Sequence, residues 1–296
     1  MREPAQIGYL PDGRRLHLHD GPIDLIVEAF GLAGEVESAY RAAATRFVTV
    51  LDELCRELAF LRQPACEDGP WPAGVIARRM VAAVQPYASR TFITPMAAVA
   101  GAVAEEILEA MTLTAELAKA YVNDGGDIAL HLAPGEHFVI GMVERPDRPS
   151  LFGTASLHSD QPVRGIATSG WRGRSFSFGI ADAVTVLAAT AAQADAAATI
   201  IANAVNLPGH PRIERAPACE LAPDSDLGDR LVTQNVGVLS DQDVEVALRA
   251  GVDVADSLVS KGLIHSAALH LRGETTIVSG RVWPALQAGT RSLVHA

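Results

Sequence analysis

Asp195 and Thr199 stand four residues apart in the run ADAAAT (194–199). On a helix, that spacing projects the carboxylate and the hydroxyl from one face within a single turn. Two hard oxygens side by side make a half-site for a divalent cation, and Ala194, Ala196, Ala197 and Ala198 leave room for the rest of its shell. The plainer reading of the same pair is an acid in the first helical turn, favoured by the helix dipole, and a threonine bonded back to a carbonyl. Upstream, Asn123, Asp124, Gly125, Gly126 and Asp127 carry tight-turn chemistry, because glycine and Asn/Asp tolerate positive φ. Such a turn can be purely structural, or it can let backbone N–H groups approach a phosphate. Arg172 and Arg174 flank Gly173 and could hold an anionic group by charge-assisted hydrogen bonds, or simply lie on the surface. His158 lies eleven positions before Ser169 and is a candidate base if the intervening strands pair.

The elements that must position these residues can be read from periodicity. Residues 165–205 predict strand, glycine-bounded turn, strand and helix, with a β-branched run at Ala183–Leu187 and a helix of small residues over Thr190–Val205. The N-terminal segment predicts a hairpin with breaks at Pro11–Gly13 and Asp20–Pro22; His17 and His19 share one strand face, facing solvent or suited to a metal or an acidic ligand. Val36, Tyr40, Ala43, Phe47, Leu51, Leu54, Leu58 and Leu61 form the core stripe of a long amphipathic helix. A shorter helix is expected at Val75–Val84, with Arg78 and Arg79 on its solvated face, and another from Pro95 to Leu117, where Gly101 would permit close backbone contact. AKAYVNDGGDIALHL predicts a hairpin and Phe138–Val143 a further strand, and Pro146–Pro149 is expected to be an internal linker. Toward the C-terminus we expect an ordered Pro-rich loop after Val205, a short helix at Asp226–Thr233, a helix capped at Ser240–Asp241 and ended by Gly262, and a last hairpin across Arg272–Gly273.

Strong hairpins and blocks of helix favour an α+β fold, antiparallel sheets packed with helices, over a doubly wound parallel sheet. No Walker loop or GxGxxG follows a predicted strand. A net charge of −11 argues against a general nucleic-acid binder, and no apolar run approaches the ~20 residues that span a bilayer. Cys55, Cys66 and Cys219 show no zinc-like spacing and read as reduced thiols, so a cytoplasmic setting is expected.

ATSG (167–170), VTVLA (184–188), ADAAAT (194–199) and NDGGDI (123–128) together resemble the ApbE superfamily of flavin-handling proteins, relatives of FAD:protein FMN transferases with a T-fold-related architecture. The resemblance implies Mg²⁺ ligation by Asp195 and Thr199 and matches Gly125–Gly126 and Ser169–Gly170 to the family's two glycine turns; with the charged neighbours of those turns, FAD or a related nucleotide is expected at Asp124, Gly125, Gly126, Asp127, Thr168, Ser169, Gly170, Arg172 and Arg174. Over nearly the full length, including GRRLHLHDGPIDLIVEA, PMAAVAGAVAEE and DSDLGDRLV, the chain resembles an uncharacterised prokaryotic branch of the ApbE-like proteins. Two departures from the transferase pattern stand out. Ala100 falls where a lysine is expected, Ala102 where an aromatic is, and Glu105 where an acid is; and the interval WRGRSFSFGIADA holds no histidine, no proline and no DP-x-TG turn.

The expectation is a single ApbE-like domain over 1–296, with two intertwined halves (1–145 and 150–296) as an option. It would bind a flavin nucleotide or similar pyrophosphate-bearing cofactor with a divalent metal, and would lack standard FMN-transferase chemistry. Glu105 and His158 are the catalytic candidates if it is a divergent metal-dependent transferase or hydrolase. The alternatives are a non-catalytic cofactor carrier and an enzyme acting on a pterin-like heterocycle. A homo-oligomer is expected by analogy of fold.

Overall fold

The structure is a computed structural model that describes residues 4–143, 151–280 and 287–288; the expected linker at Pro146–Pro149 lies outside them. In chain order the first elements are β1 (Gln6–Tyr9), β2 (Leu16–Asp20), β3 (Ile23–Phe30), α1 (Ala33–Leu61), α2 (Val75–Val84), α3 (Val99–Thr112), β4 (Lys119–Asp124), β5 (Asp127–Leu132), β6 (His137–Val143), β7 (Leu151–His158) and β8 (Gly165–Ser169). There follow β9 (Ala183–Ala188), α4 (Ala191–Ala204), β10 (Ile213–Pro217), α5 (Ala218–Leu221), β11 (Leu231–Val236), α6 (Asp241–Ser260), β12 (Ser266–Leu271), β13 (Glu274–Ser279) and β14 (Gln287–Ala288). Mixed helices and antiparallel sheets make this an α+β fold, as the hairpin chemistry predicts. None of the helices among the described residues is long and apolar enough to cross a membrane.

The chain divides into two compact units. The first contains residues 1–137, 158–167 and 188–196. Its strands β1 to β5 run as an antiparallel meander, and β8 joins β5 through Ile128↔Ile166 and Ala129↔Gly165. β2 alternates buried Leu16 and Leu18 with half-buried His17 and His19, so one face of the sheet carries the core. Tyr40, Ala43, Phe47, Val50, Leu54 and Leu61 of α1 are buried, and Ile76, Met80, Ile107 and Met111 of α2 and α3 are inaccessible or nearly so. α2 ends at Val84, as expected, and a 3₁₀ turn over Gln85–Tyr87 follows it. The expected Pro95–Leu117 helix is split into a 3₁₀ turn over Pro95–Ala98 and then α3, which ends at Thr112.

The second unit holds residues 138–157, 168–187 and 197–296. In it, β9 and β13 flank β12, all antiparallel, and every residue of β9 is buried. Arg272 and Gly273 have φ of 54° and 89°, the left-handed conformations that a two-residue hairpin turn requires. Residues 231–236 form strand β11, paired with β10, so the helix expected at Asp226–Thr233 is corrected. Val232, Thr233 and Val236 are buried there, and the Thr233 N–H donates to Ser177 O, so tertiary pairing overrides a weak local helical signal. β10 and α5 likewise give structure to what the sequence predicts as a loop.

Ser240 caps α6 as expected: its hydroxyl accepts from the Asp243 N–H while the Asp243 carboxylate accepts from the Ser240 N–H. Ser240→Ala is therefore expected to lower stability by about 1 kcal/mol in urea denaturation, with an unchanged slope.

Candidate functional site

Within the first unit, the N-termini of α3 and α4 exchange caps. Ala98, the residue before α3, has no side chain that could accept from the helix amides. Those donors turn instead to Asp195 of α4: the Gly101 N–H reaches Asp195 Oδ2 at 3.1 Å, and the Ala100 N–H also bonds the carboxylate. In return, Glu105 Oε1 of α3 accepts from the Ala192 N–H, in the first turn of α4, at 2.7 Å. Thr190 Oγ1 accepts from the Gln193 N–H at 3.3 Å and completes that end. The approach depends on Gly101, since a Cβ there would lie 2.4 Å from Ala191 O. Gly165 is tighter still, its Cβ position being 2.0 Å from the Thr190 carbonyl carbon.

Asp195 keeps part of its surface accessible, yet protein atoms surround its carboxyl densely. Burial pushes its pKa up to about 7; the negative charge of Asp124 adds to the rise, and the amides of Gly101 and Ala100 oppose it. The motif 123–127 and the motif 194–199, far apart in sequence, therefore meet electrostatically through Asp124 and Asp195. Asp124 itself is buried at the end of β4, opposite Asp127 across the turn. Gly125 and Gly126 have φ of 65° and 118°, and the Gly126 N–H is already bound to Asn123 Oδ1 at 2.8 Å.

Glu105 has both oxygens engaged: besides Ala192 it accepts from Arg79 Nη1 at 3.2 Å. Arg79 also pairs with Glu106 and Glu109, and Arg46 joins Glu106 to Glu53 at 2.7 Å on either side. Arg79 is thus the hub of an ion network and not part of a solvated face; the i, i+3 and i+4 spacing of acids on α3 was the available signal. His158 is exposed, with its ring stacked on that of His137 at 5.3 Å between centroids.

In the second unit, Thr168 Oγ1 shares a hydrogen bond of 2.9 Å with Thr185 Oγ1. Gly170 packs against the backbone, since a Cβ there would meet Asp182 O at 2.4 Å. Arg172 lies over the Trp171 ring at 4.1 Å and pairs with Asp182 at 3.4 Å, while Arg174 is exposed. Trp171, which the sequence reading did not single out, buries an indole N–H that has no hydrogen-bond acceptor among the described residues. Thr199 falls in this unit, half-buried on the third turn of α4. Among the described residues no three acidic, histidine or cysteine side chains converge as a metal cluster. A cation at Asp195 would thus need oxygens from hydroxyl, backbone, water or ligand, a donor set that suits Mg²⁺.

A family model described as AbpE bacteria matches residues 7–277. A UPF0280 protein of Methanopyrus kandleri is 30% identical over 206 residues, which are 70% of this chain and 66% of the relative. Another, of Methanothrix thermoacetophila, is 40% identical over 121 residues, 40% of this chain and 49% of the relative. The chain thus spans just under two thirds of the first relative's length and about half of the second's. Among solved structures, the apo flavinyl transferase ApbE of Pseudomonas stutzeri is 11% identical, with 94% of this chain and 96% of that chain covered and a TM-score of 0.45.

Proposed function

Because the chain belongs to the AbpE bacteria family, we propose that it binds a flavin nucleotide, or a similar pyrophosphate-bearing cofactor, together with Mg²⁺. The observation that carries this reading is Asp195: a densely surrounded carboxyl, still partly accessible, whose ionisation is opposed by burial and by the charge of Asp124 in the glycine turn. Two negative charges brought together at a cost favour a cation, and a hard oxygen donor set favours Mg²⁺. Asp195 and, by its spacing along the same helix, Thr199 would hold the ion, which when bound neutralises phosphate charge. Asp124, Gly125, Gly126 and Asp127 are the candidates for pyrophosphate contact. Thr168, Ser169, Gly170, Arg172 and Arg174 are proposed for anionic groups of the same ligand class.

Standard flavin transfer is not part of the proposal. Ala100 offers no ammonium, and residues 171–183 offer no histidine to move a proton. Glu105, whose oxygens serve Ala192 and Arg79, has no lone role as a base. A cytoplasmic homo-oligomer belongs to the same reading, and light scattering tests the oligomer.

Calorimetric titration with FAD, with and without Mg²⁺, tests the binding. Wild type is expected to bind only with Mg²⁺, and Asp195→Ala to weaken that binding at least roughly a hundredfold, the loss of a charged ligand group. Mg²⁺-independent binding equal in both proteins would sink the cation site; release of FMN or AMP would make the protein an enzyme and not a carrier.

A further inference from the structure

The exchanged caps single out Glu105. We infer that Glu105 is a positioning residue: by holding the first turn of α4 against α3, it sets where the Asp195 carboxylate stands. Ala192, whose N–H it accepts, is buried, so without Glu105 that donor would have no acceptor. The bond is short and charge-assisted, and Arg79 fixes the carboxylate from the other side. Asp195 follows Ala192 by three residues, on the next turn of the same helix, and its own bond to the Gly101 N–H returns to α3 four residues before Glu105. The two bonds therefore brace one another across the contact of Gly101 with Ala191. Releasing the first lets α4 slide or tilt, and the second lengthens. A displacement of a few tenths of an ångström matters for a Mg²⁺ ligand, because the ion demands near-ideal geometry at about 2.0–2.1 Å.

Glu106 supplies the control. It belongs to the same ion network, bonded to Arg46 and Arg79, but has no bond to α4. If Glu105 acted only as one more member of that network, Glu106 variants would behave like Glu105 variants.

The test uses the full chain and two readouts: hydrogen exchange of the Gly101 amide, and Mn²⁺ affinity by electron paramagnetic resonance in the presence of inorganic pyrophosphate. The Mn²⁺ arm rests on the cation reading above; the exchange arm does not. Glu105→Ala is expected to speed Gly101 exchange and to weaken Mn²⁺ binding, each by about tenfold, the weight of one such hydrogen bond. Glu105→Gln, which keeps an acceptor for the Ala192 N–H, should rescue both. Glu106→Gln should leave both unchanged. Should the alanine variant fail to fold, Glu105→Asp, charged but one methylene shorter, must still speed Gly101 exchange. Unchanged Gly101 exchange in Glu105→Ala, or the same response in Glu106→Gln, overturns the inference. Absence of Mn²⁺ binding by wild type would remove the cation reading and leave the Gly101 amide to decide the role of Glu105.

Discussion

Gly101→Ala is expected to destabilise the protein by about 1–3 kcal/mol, the usual cost of overpacking a tight contact. In an ordinary helix interior the same change would stabilise by roughly 0.5–1 kcal/mol, because alanine loses less backbone freedom on folding. The two effects have opposite signs, and the geometry decides between them. The new methyl would lie 2.4 Å from Ala191 O and 2.5 Å from its carbonyl carbon, both backbone atoms that cannot rotate away. α4 must then back off from α3, lengthening both exchanged caps, so Mg²⁺-dependent nucleotide binding should fall along with stability. Urea denaturation and calorimetry on the same preparation check both. A Gly101→Ala variant as stable as wild type would mean that the two helix ends do not meet this closely.

The second large effect is the pH dependence carried by Asp195. Its pKa rises from 3.8 to about 7 on folding. Between those values the folded chain holds a proton that the unfolded chain has released, so the group's contribution to stability is greatest near pH 4 and is lost as pH rises toward 7. Above pH 7 the loss is complete; a shift of this size corresponds to roughly 4 kcal/mol at most. Asp195→Asn keeps an oxygen for the Gly101 N–H but cannot ionise. It should match wild type near pH 4.5 and exceed it at pH 8 in the absence of divalent cations, with the difference between the two curves isolating this one group. Mg²⁺ should reverse the ranking at pH 8, since only the carboxylate gains from it. Parallel curves from pH 4.5 to 8 would show that the Asp195 pKa is not raised. The residue is thus expected to trade stability for binding.

How much of this was legible in the sequence depends on how local each cause is. The left-handed turn at Arg272–Gly273, the Ser240–Asp243 capping box and the Asn123–Asp127 hairpin are fixed by residues within four positions of one another, and the chain adopts all three. Gly101 was legible for a related reason, because glycine in a run of small helix-forming residues implies a close neighbour, though not which one. β11 was misread because Leu231–Val236 becomes a strand only by pairing with Ile213–Pro217. Arg79 looked like surface on its own short helix and finds its acids 26 to 30 positions away. The position of Glu105 was legible, but not its task, which depends on an amide 87 positions further on.

Those separations have a kinetic side. The bonds that exchange the caps of α3 and α4 close loops of 94 and 87 residues, as long as the separations of 89 to 99 between paired residues of β3 and β4, whereas the β1–β2, β2–β3 and β4–β5 hairpins join neighbours in sequence. Contacts so distant along the chain carry a high loop-closure cost and form late. On the ribosome, α3 leaves well ahead of the acid that caps it; at ordinary synthesis rates the wait is roughly 5–20 s. During that interval the amides of Ala100 and Gly101 have only water to bind, and the N-terminal turn of α3 can fray. Asp195 therefore lies in the last segment of the chain to join the first unit, and it closes the N-terminus of α3 as well as carrying its charge.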